Sequence, residues 1–591
     1  MPKALPYKIT IVNYKKTIPA SQGDNLAQKL LEAGINLRVD CQRRGICGKC
    51  LVEIVKGKLS PPSEKEKSIL EEKGLLNNYR LACLLKIKND IELIIPEESI
   101  IQEISILKIG IKSTVAINPA LKKYYFFLKK PQISSPHSGL NCLQRNFQKK
   151  DLNVNLDLIK KLPLILVKSK YKVTAAVYQN EEILSLEPGY TIGESYGLAV
   201  DVGTTTLVAA LLDLNSGRSL EVISAANSQI KFGADVISRI SFAVSDSKNL
   251  LALKKAITTD LNKMITKLVN KTRIKRKYIY EVTVAANTTM NHFLLGTPVQ
   301  TLASAPFYSV FSKLPALSSR EVGLKINTYG KVYLSPNIKS FVGGDISAGL
   351  LASNFASKPG NYLYLDLGTN GEIVLKTKNK LIATSTAAGP AFEGMNISCG
   401  LPALPGAIYK ADYNSKLIIS TLKNKPARGI CGTGLIDLTA LFLERSIISP
   451  QGNIKNKARK LKITDNIYLT QKDIREIQLA VAAIKTGIKM MLSRYHLKFK
   501  DLDGILIAGA FGNYLNIKNS QKIGLLPEID ESKITFIGNA ALAGAQALLL
   551  SLPARRKIES IVEKIEYLSL ASEPNFQDNF IESLEFKNWR I

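Results

Sequence analysis

The stretch Asp40-Cys41-Gln42-Arg43-Arg44-Gly45-Ile46-Cys47-Gly48-Lys49-Cys50 constrains this chain more than any other. Five residues separate the first pair of cysteines and two the second, with Gly45 and Gly48 among them. A fourth cysteine, Cys83, follows in Arg80-Leu81-Ala82-Cys83. Thiolates this close can wrap one inorganic core, and glycines let the backbone fold over it. The competing chemistry, a zinc ribbon, uses paired C-x2-C knuckles, and here only Cys47 and Cys50 form one. Cys41, Cys47, Cys50 and Cys83 therefore read as ligands of one iron–sulfur cluster.

The flanks agree. Residues 8–12 and 15–18 pattern as two short strands around an Asn13-Tyr14 turn, and 25–34 as a helix stopped by Gly34. A strand over 51–55, a helix over 63–73 and a strand over 84–95 follow. This order resembles the β-grasp fold of ferredoxins. Plant-type ferredoxins space the first cysteine pair by four residues; a spacing of five resembles the adrenodoxin-like ones. The resemblance implies a [2Fe–2S] cluster.

What surrounds such a cluster depends on the rest of the chain. Its 591 residues exceed one core, so several domains are expected. Seven cysteines, four already assigned, do not make a disulfide framework; a reducing cytoplasm suits them. No run approaches the roughly 18 apolar residues of a membrane span, and residues 1–6 lack the apolar core of a secretory leader. The net charge of +31 comes from lysines spread along the whole chain without a nucleic-acid motif. That pattern predicts a solvated basic surface, or a face for an acidic protein partner, rather than nucleic-acid binding.

The expected domains are 1–96 (ferredoxin), a weakly periodic linker 97–127, a small α/β middle domain 128–194 and a large domain 195–591. The middle domain patterns as a helix near 156–161 and strands over 173–178 and 182–186; its His137 and Cys142 are a lone pair with no further ligands nearby in sequence.

The large domain carries a repeat. Gly197-Leu198-Ala199-Val200-Asp201-Val202-Gly203-Thr204-Thr205-Thr206-Leu207-Val208 is an apolar strand that ends in an acid, turns on glycine and hydroxyls, and returns as a strand. Leu363-Tyr364-Leu365-Asp366-Leu367-Gly368-Thr369-Asn370-Gly371-Glu372-Ile373-Val374 repeats the design. Such turns present backbone N–H groups and hydroxyls to phosphate oxygens, and the acids, Asp201 and Asp366, can hold Mg2+. Two copies suggest two half-domains closing on one triphosphate. Gly509, Ala510, Phe511 and Gly512 follow the apolar strand 505–508, where a flat base can lie against backbone. Residues 537–545 pattern as a small-residue helix suited to close packing.

This order resembles the phosphate-1, phosphate-2, adenosine and connecting motifs of the acetate/sugar kinase, chaperone and actin superfamily. The resemblance implies a two-lobed actin-like ATPase fold that binds ATP and Mg2+ through Gly203, Thr204, Thr205, Thr206, Gly368, Thr369 and Asn370, with Gly432 and Gly434 as further nucleotide-binding residues. It also gives Asp345, in Gly343-Gly344-Asp345, the role of orienting an attacking water; duty as a helix N-cap before Ile346 is the alternative, and the two are compatible.

A ferredoxin domain, a featureless middle module and an actin-like ATPase together resemble the reductive activators of corrinoid-dependent enzymes. The resemblance extends over nearly the whole chain, through 227–229, 232–240, 286–292, 388–394, 429–434 (with Gly432 and Gly434) and 471–478. Its [4Fe–4S] members carry C-terminal cysteine clusters, whereas no cysteine follows Cys431 here. The resemblance implies one-electron, ATP-dependent reduction of a corrinoid protein from cobalt(II) to cobalt(I), an upstream low-potential reductase as electron source, and allows a homodimer. Competing readings are an activator of another low-potential enzyme such as a 2-hydroxyacyl dehydratase, a nucleotide-gated scaffold with a passive ferredoxin, and a sugar kinase. Bland roles also account for single stretches. Asn287 can be a helix cap, Gly432 and Gly434 turn residues, Gln478 and Lys485 a solvated helix face, His292 a satisfied core histidine, and Cys399 and Cys431 buried thiols.

Overall fold

A computed structural model describes all of the chain except residues 1–6, 36, 40–42, 44, 76–77, 97–98, 101–114, 135–137, 148–151, 457, 510–514, 588 and 590–591. Cys41, His137, Ala510, Phe511 and Gly512 thus lie outside the described residues.

The first domain is a mixed five-stranded sheet. Tyr7–Ile11 pairs antiparallel with Lys16–Ala20 and parallel with Ile91–Ile94, which in turn pairs with Leu51–Lys56, and Tyr79–Leu81 closes the far edge. Helix Leu26–Glu32 starts at an Asn25 cap and buries Leu26, Ala27, Leu30 and Leu31 on this sheet. The long strand expected over 84–95 is a correction: only Ile91–Ile94 joins the sheet. Residues 85–87 bond instead to the start of the helix, through Leu26 N to Leu85 O and Ile87 N to Asp24 O.

The middle module is a four-stranded sheet covered by helix Leu156–Lys168, with Leu158, Leu162 and Leu166 facing inward. Its outer strand, Leu121–Phe127, occupies what reads as linker in the sequence; it pairs along its whole length with Lys172–Tyr178.

The large domain has two lobes with one topology, and the duplication is visible strand by strand. In lobe I, Tyr196–Val202, Thr206–Asp213 and Ser219–Ala226 form a meander, and Ile279–Ala286 and then Lys331–Leu334 add in parallel beside the first strand. In lobe II, Tyr362–Leu367, Gly371–Lys376 and Leu381–Thr386 form the meander, and Gly504–Ala508 and then Ile534–Gly538 add in parallel. Ile537 and Gly538 are therefore strand residues, and the small-residue helix is Ala540–Leu550. It lies against helix Gly344–Ala352 so closely that a side-chain carbon on Gly544 would fall on the Ala348 carbonyl.

Each lobe has its own apolar core. A third cluster runs between the two sheets through Ala199, Tyr280, Ile346, Tyr364 and Leu548, and continues into Leu121, Ala176 and Leu184 of the middle module. The module is thus packed on the large domain, and buried ionic contacts reinforce it. Tyr178 donates to Glu281 at 2.6 Å, and Arg555 pairs with Glu281 at 2.9 Å. Among the described residues, no helix is long and apolar enough to cross a membrane.

Candidate functional site

Two places gather the chemistry. The first is the cysteine loop. Cys50 and Cys83 are buried and Cys47 is half-buried. The strand pair Leu51–Lys56 and Tyr79–Leu81 brings the third and fourth of these cysteines, Cys50 and Cys83, to one end of the sheet: Ala82 N donates to Cys50 O at 2.9 Å. Asn25, the cap of the first helix, holds the Cys83 carbonyl at 2.8 Å. The intervening loop needs left-handed backbone at Gly45 (φ 65°) and Gly48 (φ 59°). A side chain at Gly45 would strike Leu84, and one at Gly48 would strike Ile69. A loop with glycines at its tight points and cysteines on both sides of a strand pairing fits an iron–sulfur cluster. Among the described residues, no three His, Cys, Asp or Glu side chains converge closely enough for a single metal ion.

This loop touches lobe II. Lys49, buried between Gly48 and Cys50, donates its ammonium to Gly400 O at 2.7 Å and Ser398 O at 3.3 Å. Ser398 is held in turn by Asp473, which accepts from both its N–H and its hydroxyl. At the other end of this segment Glu393 accepts from Thr369 of the second phosphate turn at 2.7 Å.

The second place is the cleft between the lobes. Asp201 and Asp366 end equivalent strands, and Asp345 comes from the helix between them. All three keep some solvent contact while the protein surrounds them. Burial raises Asp201 to about 7, with the negative charge of Asp345 adding and the 2.9 Å hydrogen bond from Asn539 opposing. Burial likewise raises Asp366 to about 7, helped by Asp345 and Asp201. Asp345 rises to about 6 through burial, against the Ile346 N–H that it accepts at 2.8 Å. Its expected N-cap role is corrected: Gly343 caps the helix, and Asp345 sits in its first turn. Gly343 is needed there because a side chain would overlap the Asn287–Thr288 backbone.

Sequence reasoning missed a fourth acid. Glu372 faces Asp366 across the hairpin in direct register, and burial together with Asp345 and Asp366 pushes its carboxyl well up. The hairpin arithmetic of the second motif contained that signal, since residues equidistant from a tight turn face each other. Crowded carboxylates held up near neutrality lose that penalty when a cation joins them, so the set suits Mg2+ bound to a polyphosphate.

The turns themselves are tied from behind. Gly203 N bonds to Thr206 O at 2.9 Å, Asn227 donates to Gly203 O at 3.0 Å, and Asn287 donates to Thr204 at 3.2 Å. Asn287 also caps helix Thr288–Leu295, as expected. Thr205 and Thr206 flank the same half-exposed turn, and Gly368 N closes the second turn on Asn370 O at 3.1 Å. Gly509 (φ 92°) lies beside Asp366, where a side-chain carbon would come 3.1 Å from its carboxylate. The third motif thereby meets the second.

Other expected residues fall elsewhere. Gly432 and Gly434 are not turns; they open the buried helix Gly432–Glu444, with Gly434 against the Ile408 carbonyl. Gln478 and Lys485 are not solvated: both are buried and donate to the carbonyls of Leu584 and Glu585, which fastens the C-terminal segment to helix Gln471–Arg494. His292 is buried and stacked on Phe311; its Nδ1 meets Thr288 O, while Nε2 has no partner among the described residues. Cys431 is a buried thiol, whereas Cys399 and Cys142 are half-buried.

Comparison with known proteins covers both places. The chain matches the 2Fe-2S iron-sulfur cluster binding domain over residues 9–88, the RACo linker region over 110–193, the RACo middle region over 196–358, and the C-terminal ASKHA domain of RACo over 360–591. It is 31% identical over 603 residues to a corrinoid activation enzyme, RamQ, of Eubacterium limosum, covering 97% of this chain and 98% of that one. A methylated amine-specific corrinoid protein reductase of Methanosarcina barkeri is 26% identical over 430 residues, 66% of this chain and 77% of its own. Among solved structures, the reductive activator for corrinoid,iron-sulfur protein shares 33% identity and 99% of both chains at a TM-score of 0.73. A cysteine loop matched by the 2Fe-2S domain model, two lobes built on the same Asp-x-Gly hairpin and this end-to-end similarity place the chain in the family of reductive activators of corrinoid-dependent enzymes.

Proposed function

We propose that this chain is an ATP-hydrolysing activator that delivers one electron to the cobalt(II) centre of a corrinoid protein and restores cobalt(I). The observation that carries the reading is the presence, in one chain, of a cluster loop and a four-carboxylate cleft between duplicated phosphate hairpins, joined through Lys49 and the 393–400 segment. The likeness to named corrinoid activators supports the choice of partner.

Cys41, Cys47, Cys50 and Cys83 would hold the [2Fe–2S] cluster, which supplies a one-electron store when bound. Plant-type clusters of this kind lie near about −400 mV, and each further ~59 mV of one-electron mismatch costs ~1.4 kcal/mol. Nucleotide closure offsets such a mismatch by shifting the partner's population, since about 5.5 kcal/mol moves a two-state equilibrium from 1:99 to 99:1. In the cleft, Asp201 and Asp366 would hold Mg2+, and Gly203, Thr204, Thr205, Thr206, Gly368, Thr369 and Asn370 would line the phosphates. Gly509 opens the base-side strand end. Asp345 orients a water, with Glu372 and its neighbours setting its charge.

The test mixes protein, reductant and cobalt(II) corrinoid protein with and without Mg2+ and ATP, and follows cobalt(I) absorption. ATP-dependent cobalt(I) is expected, lost in Cys47→Ser while ATP hydrolysis continues. Equal yields with and without ATP would sink the coupling. Phosphate transfer to a small alcohol would point instead to a sugar kinase.

A further inference from the structure

Arg239 is among the largest side chains buried without any exposure. Its Nε donates to Gly233 O at 2.8 Å, and Nη1 reaches Gln229 Oε1 at 3.4 Å and Met290 Sδ at 3.7 Å. Nη2 has no hydrogen-bond partner among the described residues. Carbonyl and amide oxygens and a thioether satisfy part of a guanidinium but do not neutralise it. A buried cation in such company is costly unless an anion joins it. Burial pulls this guanidinium down to about 9, with Asp235 and Glu393 holding it up only through space.

The surroundings say where that anion belongs. Asn227 shares both Nη1 partners, touching Gln229 Oε1 at 3.3 Å and Met290 Sδ at 3.8 Å, and its amide also holds the Gly203 carbonyl of the first phosphate turn. Glu393, whose charge reaches Arg239 through space, accepts a hydrogen bond from Thr369 of the second turn. Residues tied to each turn thus surround Arg239, which belongs to lobe I, while the base-side strand end at Gly509 belongs to lobe II. We infer that Arg239 binds the outermost phosphate of the nucleotide, its free Nη2 taking a phosphate oxygen as the lobes close. The inference rests on the nucleotide reading above. Guanidinium suits the task because its planar fork is always charged and matches phosphate oxygens. Arg239 then distinguishes ATP, which has that phosphate, from ADP, which lacks it.

Calorimetric titration of the full-length wild type, R239Q and R239K with Mg2+ and either AMPPNP or ADP tests this, beside thermal unfolding of each protein without nucleotide. R239Q is expected to bind AMPPNP about ten- to a hundred-fold more weakly, the worth of one charged hydrogen bond, with ADP affected far less and R239K in between. Unchanged AMPPNP affinity in R239Q overturns the inference, and so does an equal loss for both nucleotides. Where R239Q unfolds before it can be titrated, R239K decides, because it keeps the charge: a preference for AMPPNP over ADP equal to that of the wild type overturns the inference. A wild type that binds neither nucleotide overturns the nucleotide reading itself and takes this inference with it.

Discussion

Lys485 is a lysine at zero exposure whose ammonium meets the Glu585 carbonyl at 2.7 Å, with Lys489 as a like-charged neighbour. Burial brings it down from 10.5 to about 8. The unfolded chain keeps that proton up to the ordinary lysine value, so between pH about 8 and 10.5 it binds more protons than the folded chain. Stability contributed by this group therefore rises with pH across that window. Lys485→Met should remove the rise, which shows as a wild-type minus variant unfolding free energy that grows by on the order of 2 kcal/mol from pH 8 to 10. A flat difference in denaturant melts would mean the ammonium is hydrated. Gln478 and Lys485 were legible as one helix face from their spacing of seven. What meets that face is Leu584 and Glu585, about a hundred positions away, and no local pattern carries that information. Glu372 differs in kind, since the hairpin containing it was already recognised and only its cross-strand partner went unread.

The helix pair Gly344–Ala352 and Ala540–Leu550 joins the lobes and carries one cleft group on each member, Asp345 on the first and the Asp201-binding cap Asn539 on the second. Gly544 sets their separation. Alanine normally gains about 1 kcal/mol over glycine inside a helix. Here its methyl would press on the Ala348 backbone, and overpacking of this kind costs about 1–3 kcal/mol. Gly544→Ala should therefore be destabilising and should weaken nucleotide binding; a variant that melts at or above the wild-type temperature would show that the helices have room to part. At this scale the two hairpins at Asp201 and Asp366 were plain in the sequence, because acid, glycine and hydroxyl fall at fixed offsets from an apolar strand. The region after Cys83 was not. Its apolar alternation suits a strand, but its partner is the start of a helix, through Leu26 N and Leu85 O, and alternation does not name partners.

For the whole molecule, the decisive contacts join parts that read as separate. The middle module shares a core with both lobes, and Tyr178 with Glu281 at 2.6 Å and Glu182 with Lys331 at 2.6 Å cross that junction. The ferredoxin loop is held to lobe II by Lys49. Lys49→Met keeps the side-chain bulk but removes the donor; small-angle scattering should then report a larger radius of gyration, and proteases should cut near residue 97 sooner. An unchanged profile would mean other contacts hold the ferredoxin in place. In a chain of net charge +31, Lys49 spends its ammonium on at least two peptide carbonyls. Carbonyl dipoles attract no counterion atmosphere of their own, and a contact sealed from solvent is poorly screened. A contact sealed in this way should respond to added salt less than any grip that the lysine-rich surface has on an acidic partner.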